Sequence, residues 1–214
     1  MTNEAYNIDC MEYMKDIPDK FFDLAIVDPP YGLDKKSTQG SGKLKGRTLN
    51  KGNIQQWDIA PTKEYFDELF RVSKNQIIWG GNYFDLPPTR CIVCWDKMQP
   101  WENFSQIEIA WTSFDKPATI FKFDNRTKDK IHPTQKPIEL YAWLMDKFAE
   151  KDDKILDTHL GSGSSRIAAF KLGYDFVGCE INQDYFNASQ QRFRTECYGE
   201  IKTKKGTFIQ TSLF

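Results

Sequence analysis

The sequence predicts an α/β fold with a mostly parallel sheet. Two observations predict it. Short apolar runs that read as buried strands alternate with segments of helical spacing, and several of these runs end in glycine- or proline-rich turns. A third observation sets the scale. At 214 residues, 40% apolar and 28% charged, the chain can bury a core and forms one domain, or one domain with a small lobe.

Taken in order, Asn7 to Met14 reads as a strand end followed by a short helix. Phe22 to Val27 is a buried strand, stopped by Pro29 and Pro30, which lack the N–H that a ladder needs. Residues 33 to 56 change character. Lys35, Lys36, Lys43, Lys45, Arg47 and Lys51 stand among small polar residues with Asp34 as the one acid, which leaves a charge of +5 and little to bury, so a loop is expected. Pro61 to Val72 has helical spacing, with Thr62 placed to cap it. Asn75 to Trp79 is a second buried strand, closed by Gly80-Gly81-Asn82. Cys91 to Trp95 and Ile107 to Trp111 are two more, and Thr119 to Phe123 alternates apolar and polar residues as a half-exposed strand. Pro137 to Phe148 is helical, with Leu140, Tyr141, Leu144 and Phe148 on one face. Lys154 to Asp157 is a strand that runs into Gly161-Ser162-Gly163, and Ser164 to Leu172 is a helix with Gly173 at its C-cap. Tyr174 to Ile181 is a last strand, after which Asn182 or Asp184 caps a helix to about Tyr198. A polar, basic tail follows from Gly199.

The charges nearly cancel, with 29 Lys+Arg against 30 Asp+Glu for a net −1. No global positive field exists, so a nucleic-acid partner must be held by a local patch. No apolar run approaches the roughly 20 residues of a membrane span. The N-terminus has neither the basic flank nor the apolar block of a signal peptide, so a cytoplasmic protein without a membrane partner is expected. Five cysteines are too few and too scattered for a disulfide framework. Cys91 and Cys94 have no second ligand pair at suitable spacing, so they read as part of a strand and no metal site is expected.

Two constellations carry chemistry. The first is Asp157-Thr158-His159-Leu160-Gly161-Ser162-Gly163, between a strand and a helix. Glycines let backbone approach a ligand, and a helix N-terminus favours anionic groups. Glu180 ends the next strand, 23 residues after Asp157, where dinucleotide folds place an acid on ribose hydroxyls. The pattern G-x-G-x-x-G is not met, because its third position is Arg166. A nucleoside carrying a carboxylate fits better than a pyrophosphate; a G-x-G standing alone would also suit an ordinary strand–helix turn. The second is Asp28-Pro29-Pro30-Tyr31. Its prolines fix φ, so a stiff segment presents the Asp28 carboxylate, the Pro29 carbonyl and the Tyr31 ring to one cleft. An exocyclic base amine is a poor nucleophile because its lone pair is delocalised into the ring. Two acceptors on its hydrogens free that lone pair, and an aromatic ring can stack on the base. A Pro-Pro turn capped by Asp is the alternative reading of the tetrapeptide alone.

Together, Asp28-Pro29-Pro30-Tyr31-Gly32, His132-Pro133-Thr134-Gln135-Lys136-Pro137 and Asp157-x-x-x-Gly161-Ser162-Gly163-Ser164-Ser165 resemble the amino-methyltransferases that modify DNA bases. The tetrapeptide precedes the cofactor loop, a permuted order that resembles the β class of these enzymes, bacterial or phage. The resemblance covers about residues 7 to 35 and 130 to 197, with a weaker match at Trp79 to Phe84. It implies a Rossmann-like fold with a seven-stranded, mostly parallel sheet and one antiparallel strand. It also implies S-adenosylmethionine as cofactor, double-stranded DNA as partner, extrusion of the target base and a place in restriction-modification. Asp157, Gly161 and Gly163, with Ser162 and Ser164, would hold the methionine end of the cofactor. Glu180 would take the ribose and Asp9 would meet the adenine. Thr134 and Lys136 would close over the carboxylate side. Asp28, which also borders the cofactor, would bind the target amine with Pro29 and Pro30, and Tyr31 would stack on the base. Thr158-His159 stands where the family usually has Pro-Phe, and Ser164-Ser165 where it has Thr-Thr. His159 then reads as a neutral ring replacing Phe, and His132 as the cap of a helix beginning near Pro133 or as lining of the DNA cleft.

The family's adenine members usually have Asp in the first position of the tetrapeptide, so adenine N6 is favoured and cytosine N4 is the alternative. Carbon-5 methylation would need a Pro-Cys nucleophile, which the chain lacks. RNA and glutamine methyltransferases place the cofactor loop first. A DNA-binding module with a dead cofactor site is the non-enzymatic alternative. Residues 1–198 are expected to be a single domain, with recognition carried by about 33–56 and 96–130 and a short target site, as a monomer or homodimer. The tail 199–214 ends Gln210-Thr211-Ser212-Leu213-Phe214. It resembles the peptide by which bacterial proteins dock on the sliding clamp, through Gln210, Leu213 and Phe214. Folding of Leu213 and Phe214 onto the domain's own core is the alternative.

Overall fold

The computed structural model describes residues 2–33, 58–100, 105–124, 126, 130–203 and 206–209, with only the backbone course of 201–203 and 206–209. The strands are β1 (Asn3–Tyr6), β2 (Phe22–Val27), β3 (Ser73–Trp79), β4 (Ile92–Asp96), β5 (Ile107–Thr112), β6 (Thr119–Lys122), β7 (Lys154–Asp157), β8 (Asp175–Cys179), β9 (Glu200–Thr203) and β10 (Gly206–Ile209). The helices are α1 (Cys10–Lys15), α2 (Lys63–Val72), α3 (Ile138–Phe148), α4 (Ser164–Leu172) and α5 (Gln183–Tyr198). The main sheet has eight strands in the order β1-β8-β7-β2-β3-β5-β4-β6. All neighbours are parallel except where β5 meets β3 and β4.

The central strands are buried on both faces, as a helix-covered parallel sheet requires. The period of two divides their side chains between two cores. Leu24 and Ile26 of β2 pack with Leu140, Leu144 and Met145 of α3 and Ala168 and Ala169 of α4. Ala25 and Val27 face the other way, onto Met14 of α1 and Tyr65, Phe66 and Leu69 of α2. Helix ends follow from local chemistry. Asp9 accepts from Met11 N–H at the start of α1, and Asn182 accepts from Asp184 N–H and Tyr185 N–H at the start of α5. Gly173 closes α4 at φ +83°. Thr62 precedes α2 as expected, but its side chain makes no capping bond.

The architecture positions a site by its topology. From β7 the chain passes through α4 to β8 on one side, and from β2 through α2 to β3 on the other. These units wind outward from the adjacent β2 and β7, so a crevice opens at their C-terminal ends. The permuted order matters little here, since the strands meet in space whichever comes first.

Three expectations differ from the structure. The main sheet has eight strands, not seven, because β1 adds to its edge. Asn3-Glu4-Ala5-Tyr6 has no apolar run and is held by backbone pairing with β8. The tail does not simply trail away: β9 and β10 pair as an antiparallel hairpin. No helix begins near Pro133; α3 starts at Ile138 with Pro137 as its N-cap. The basic segment from Asp34 to Trp57, and the tail residues Gln210, Leu213 and Phe214, lie outside the described residues.

Candidate active site

A cleft of about 670 Å³ occupies the crevice, a size suited to a nucleoside ligand. Its walls come from the tips of β2, β7 and β8, the segment after β1, Glu108 of β5 and the turn that leads into α3. Asp9, Asp28, Pro29, Pro30, Tyr31, Thr134, Lys136, Gly161, Ser162 and Glu180 all line it. Asp157, Gly163 and Ser164 do not; they are buried behind the wall.

Asp157 ends β7 and turns inward. It accepts from Ser165 Oγ at 2.5 Å and from His159 N–H at 3.0 Å, and burial raises its pKa to about 7. It thereby ties the start of α4 to the strand. Gly163, at φ +74°, is the N-cap of α4, and Ser164 Oγ donates to the Lys136 carbonyl at 2.7 Å. Gly161 has φ +50°, a region that favours glycine. Its N–H donates to Glu180 Oε2 at 2.8 Å, while Glu180 Oε1 accepts from Asn182 N–H at 2.8 Å. Glu180 therefore braces the tips of β7 and β8 while facing the cleft, and burial raises its pKa. Arg192 of α5 donates to the Ser162 carbonyl at 2.9 Å and Ser164 Oγ at 2.8 Å, which locks the loop from behind.

On the opposite wall Asp28 is the centre of a charge cluster. Lys136 Nζ lies 2.5 Å from Asp28 Oδ2 and 3.0 Å from Glu108 Oε2, with its side chain 3% exposed. Glu108 Oε1 pairs with Lys97 Nζ at 2.5 Å. Tyr31 Oη donates to Asp28 Oδ1 at 2.7 Å. Burial drives the Asp28 pKa up, and the Lys136 charge opposes it. The two lysines outweigh burial at Glu108 and hold it at about 2. The Lys136 ammonium is thus committed to two carboxylates, and it also lies over the Trp79 ring at 5.1 Å. The expectation that it closes over a cofactor carboxylate did not include this commitment.

The Tyr31 ring stacks on Tyr83 with centroids 4.9 Å apart, inside the turn after β3. Gly80 permits this approach. It has φ +71°, and a Cβ there would overlap the Tyr31 ring. Both histidines of the chain line the cleft, and burial lowers each to about 4, so both are neutral. His159 Nδ1 lies 2.9 Å from Thr158 Oγ1, which also meets Tyr65 Oη at 2.7 Å. His132 packs edge-on against Tyr185.

Sequence reasoning passed over Glu108, Lys97 and Tyr65. Glu108 carries a signal in retrospect. It shares a face of β5 with buried Ala110 and Thr112, and an acid in the core register of an apolar strand needs a partner. Lys97 and Tyr65 carry none, because their partners arrive from distant segments.

The chemistry of the walls fits S-adenosylmethionine. Three acids, Asp9, Asp28 and Glu180, face a space that would receive a cationic sulfonium, beside a glycine backbone and the apolar Ile8 and Ile181. The family described as DNA methylase, of the N6 and N4 type, matches residues 96–191. A type II methyltransferase of Moraxella bovis, M2.MboI, is 23% identical over 237 residues, covering 88% of this chain and 86% of its own length. The M1.HpyAVI–SAM complex superposes with a TM-score of 0.59 at 20% identity, covering 88% of this chain and 98% of that one. PvuII DNA methyltransferase, cytosine-N4-specific, gives 0.62 at 14% identity, covering 90% of this chain and 86% of that one. The fold is that of Rossmann-like DNA methyltransferases, and the residues lining the cleft fit S-adenosylmethionine. More particularly, residues 96–191 are similar to the DNA methylases of the N6/N4 type, and 88% of the chain is similar to curated type II methyltransferases at 23% identity.

Proposed function

We propose that the protein methylates the N6 amine of adenine in double-stranded DNA, on a base extruded from the helix. The observation that carries this reading is the joint presence of Asp28, Pro29 and Tyr31 in one wall of the cleft that Glu180 and Gly161 close on the other side. S-adenosylmethionine supplies a methyl group already activated by its sulfonium. Glu180 and Asp9 hold the nucleoside end and the Gly161–Ser162 backbone the amino-acid end. Asp157, Gly163 and Ser164 act from behind the wall by fixing that loop, and Thr134 stands at the exposed rim. Asp28 and the Pro29 carbonyl accept the two hydrogens of the target amine. That draws the nitrogen lone pair out of conjugation, and Tyr31 packs on the base. Extrusion itself costs a few kcal/mol.

Asp at the first position of the tetrapeptide favours adenine. The PvuII enzyme of the same fold, cytosine-N4-specific by name, supports the second reading, cytosine N4. Transfer of tritium from labelled S-adenosylmethionine to DNA, followed by digestion to nucleosides, decides between them. Label in N6-methyldeoxyadenosine is expected; label in N4-methyldeoxycytidine establishes the second reading, and unlabelled DNA removes both.

A further inference from the structure

The geometry points to Glu108 as a positioning residue for methyl transfer, one that shares the buried Lys136 ammonium with Asp28. The inference rests on the reading of Asp28 as acceptor of the target amine. If Lys136 met Asp28 alone, a closed ion pair would form. The carboxylate would stay ionised, but its charge would be cancelled at the place where it is needed. Instead the ammonium sits between two carboxylates, 2.5 Å from Asp28 and 3.0 Å from Glu108. Its attraction is divided, so Asp28 keeps more of its negative charge than it would in a closed pair, while Lys97 on the far oxygen of Glu108 brings the four groups together to neutrality.

The charge that Asp28 keeps suits the reaction. The target nitrogen gains positive charge as it bonds to the methyl carbon, with the electron pair of the broken carbon–sulfur bond leaving on sulfur. The charge is relieved when a proton passes to water. A preorganised carboxylate that keeps part of its charge beside the amine stabilises this change, whereas a lone buried ammonium would oppose it. Lys97 meets the other oxygen of Glu108, so it keeps Glu108 ionised from the side away from Lys136. The arrangement is also rigid. Glu108 is on β5, and Lys136 is fixed through its carbonyl by Ser164 and through its ammonium over the Trp79 ring.

The test is Glu108→Gln, which keeps the shape and removes the charge, leaving one acceptor oxygen for the two lysines. Single-turnover methyl transfer, DNA KM and cofactor affinity by calorimetry are measured for it and for Glu108→Asp. A fall in the transfer rate of more than fivefold in Glu108→Gln is expected, with cofactor Kd and DNA KM within threefold and at least partial recovery in Glu108→Asp. A loss of fivefold or less overturns the proposal. So does a loss accompanied by weakened cofactor binding, or one that Glu108→Asp does not relieve, since each marks a merely structural side chain. If the wild-type protein labels no base amine, the reading of Asp28 fails and not this division of charge.

Discussion

Asp157 is a carboxylate that the fold holds against its ordinary acidity. Burial raises it to about 7, although Ser165 and His159 both donate to it. In the unfolded chain it titrates near the usual value of about 3.9. Between these values the folded state binds more protons, so this group's contribution to stability is fullest at the acid end of the window and is lost as pH rises to about 7. Asp157→Asn, which can still accept from His159 N–H, should flatten the fall in melting temperature between pH 4 and 7; an unchanged slope contradicts the assignment. Some slope of the same sign should persist, because burial also raises Asp28 and Glu180. At Asp28 the expected outcome is kinetic. Asp28→Ala should abolish transfer yet leave cofactor affinity within about tenfold, or about 1.4 kcal/mol. Lys136 keeps Glu108 as a partner in that variant, so a folded protein is expected, and near-normal turnover would refute the role. Glu180→Ala should instead weaken cofactor binding at least about tenfold, read by calorimetry, because it also releases the N–H groups of Gly161 and Asn182. Motif residues such as these were legible because their chemistry is written in short, contiguous patterns. The Asp28–Lys136–Glu108 cluster was not, since it joins three separate segments and only the sheet brings them together.

Elements rich in apolar residues were read closely. The helix from Ser164 to Leu172 lies as expected, and the strand at Phe22–Val27 likewise, because each has a run to bury and a clear stop. Elements without an apolar run were not legible: β1 and the hairpin of β9 and β10 have too little apolar pattern to announce themselves. The turn after β3 lies between these cases. Gly80-Gly81 was plainly a strand stop, but its service to Tyr31 was hidden. Gly80→Ala sets a Cβ against the Tyr31 ring at φ +71°. The backbone strain alone costs about 1–3 kcal/mol. Denaturant unfolding should show a loss of at least this size. If the ring must move to relieve it, transfer should fall more than cofactor affinity; an unchanged midpoint would mean that the turn tolerates the side chain.

For the whole molecule the decisive quantity is the partition of charge. The chain carries −1, and residues 33 to 56 carry +5 of it, so the remainder stands at −6. Such a remainder repels a polyanion at long range, yet the proposed substrate is DNA. Attraction must therefore be concentrated, and residues 35 to 51 hold six cations and no acid. Each lysine or arginine that meets a phosphate releases condensed counterions, and log K falls with log salt by about 0.9 per contact. If at least three of the six make such contacts, deleting residues 35 to 51 should reduce the slope by about 3 and weaken DNA binding most at low salt. Cofactor affinity should be unchanged, because every residue assigned to the cofactor lies outside this segment; that measurement also certifies that the shortened protein folds. Binding isotherms at several salt concentrations make the comparison. An unaltered slope with intact cofactor binding would assign the phosphate contacts to the rest of the chain. DNA would then be held against a net charge of −6, and only a local patch could do so, for which residues 96–130 supply Lys97, Lys116, Lys122, Arg126, Lys128 and Lys130.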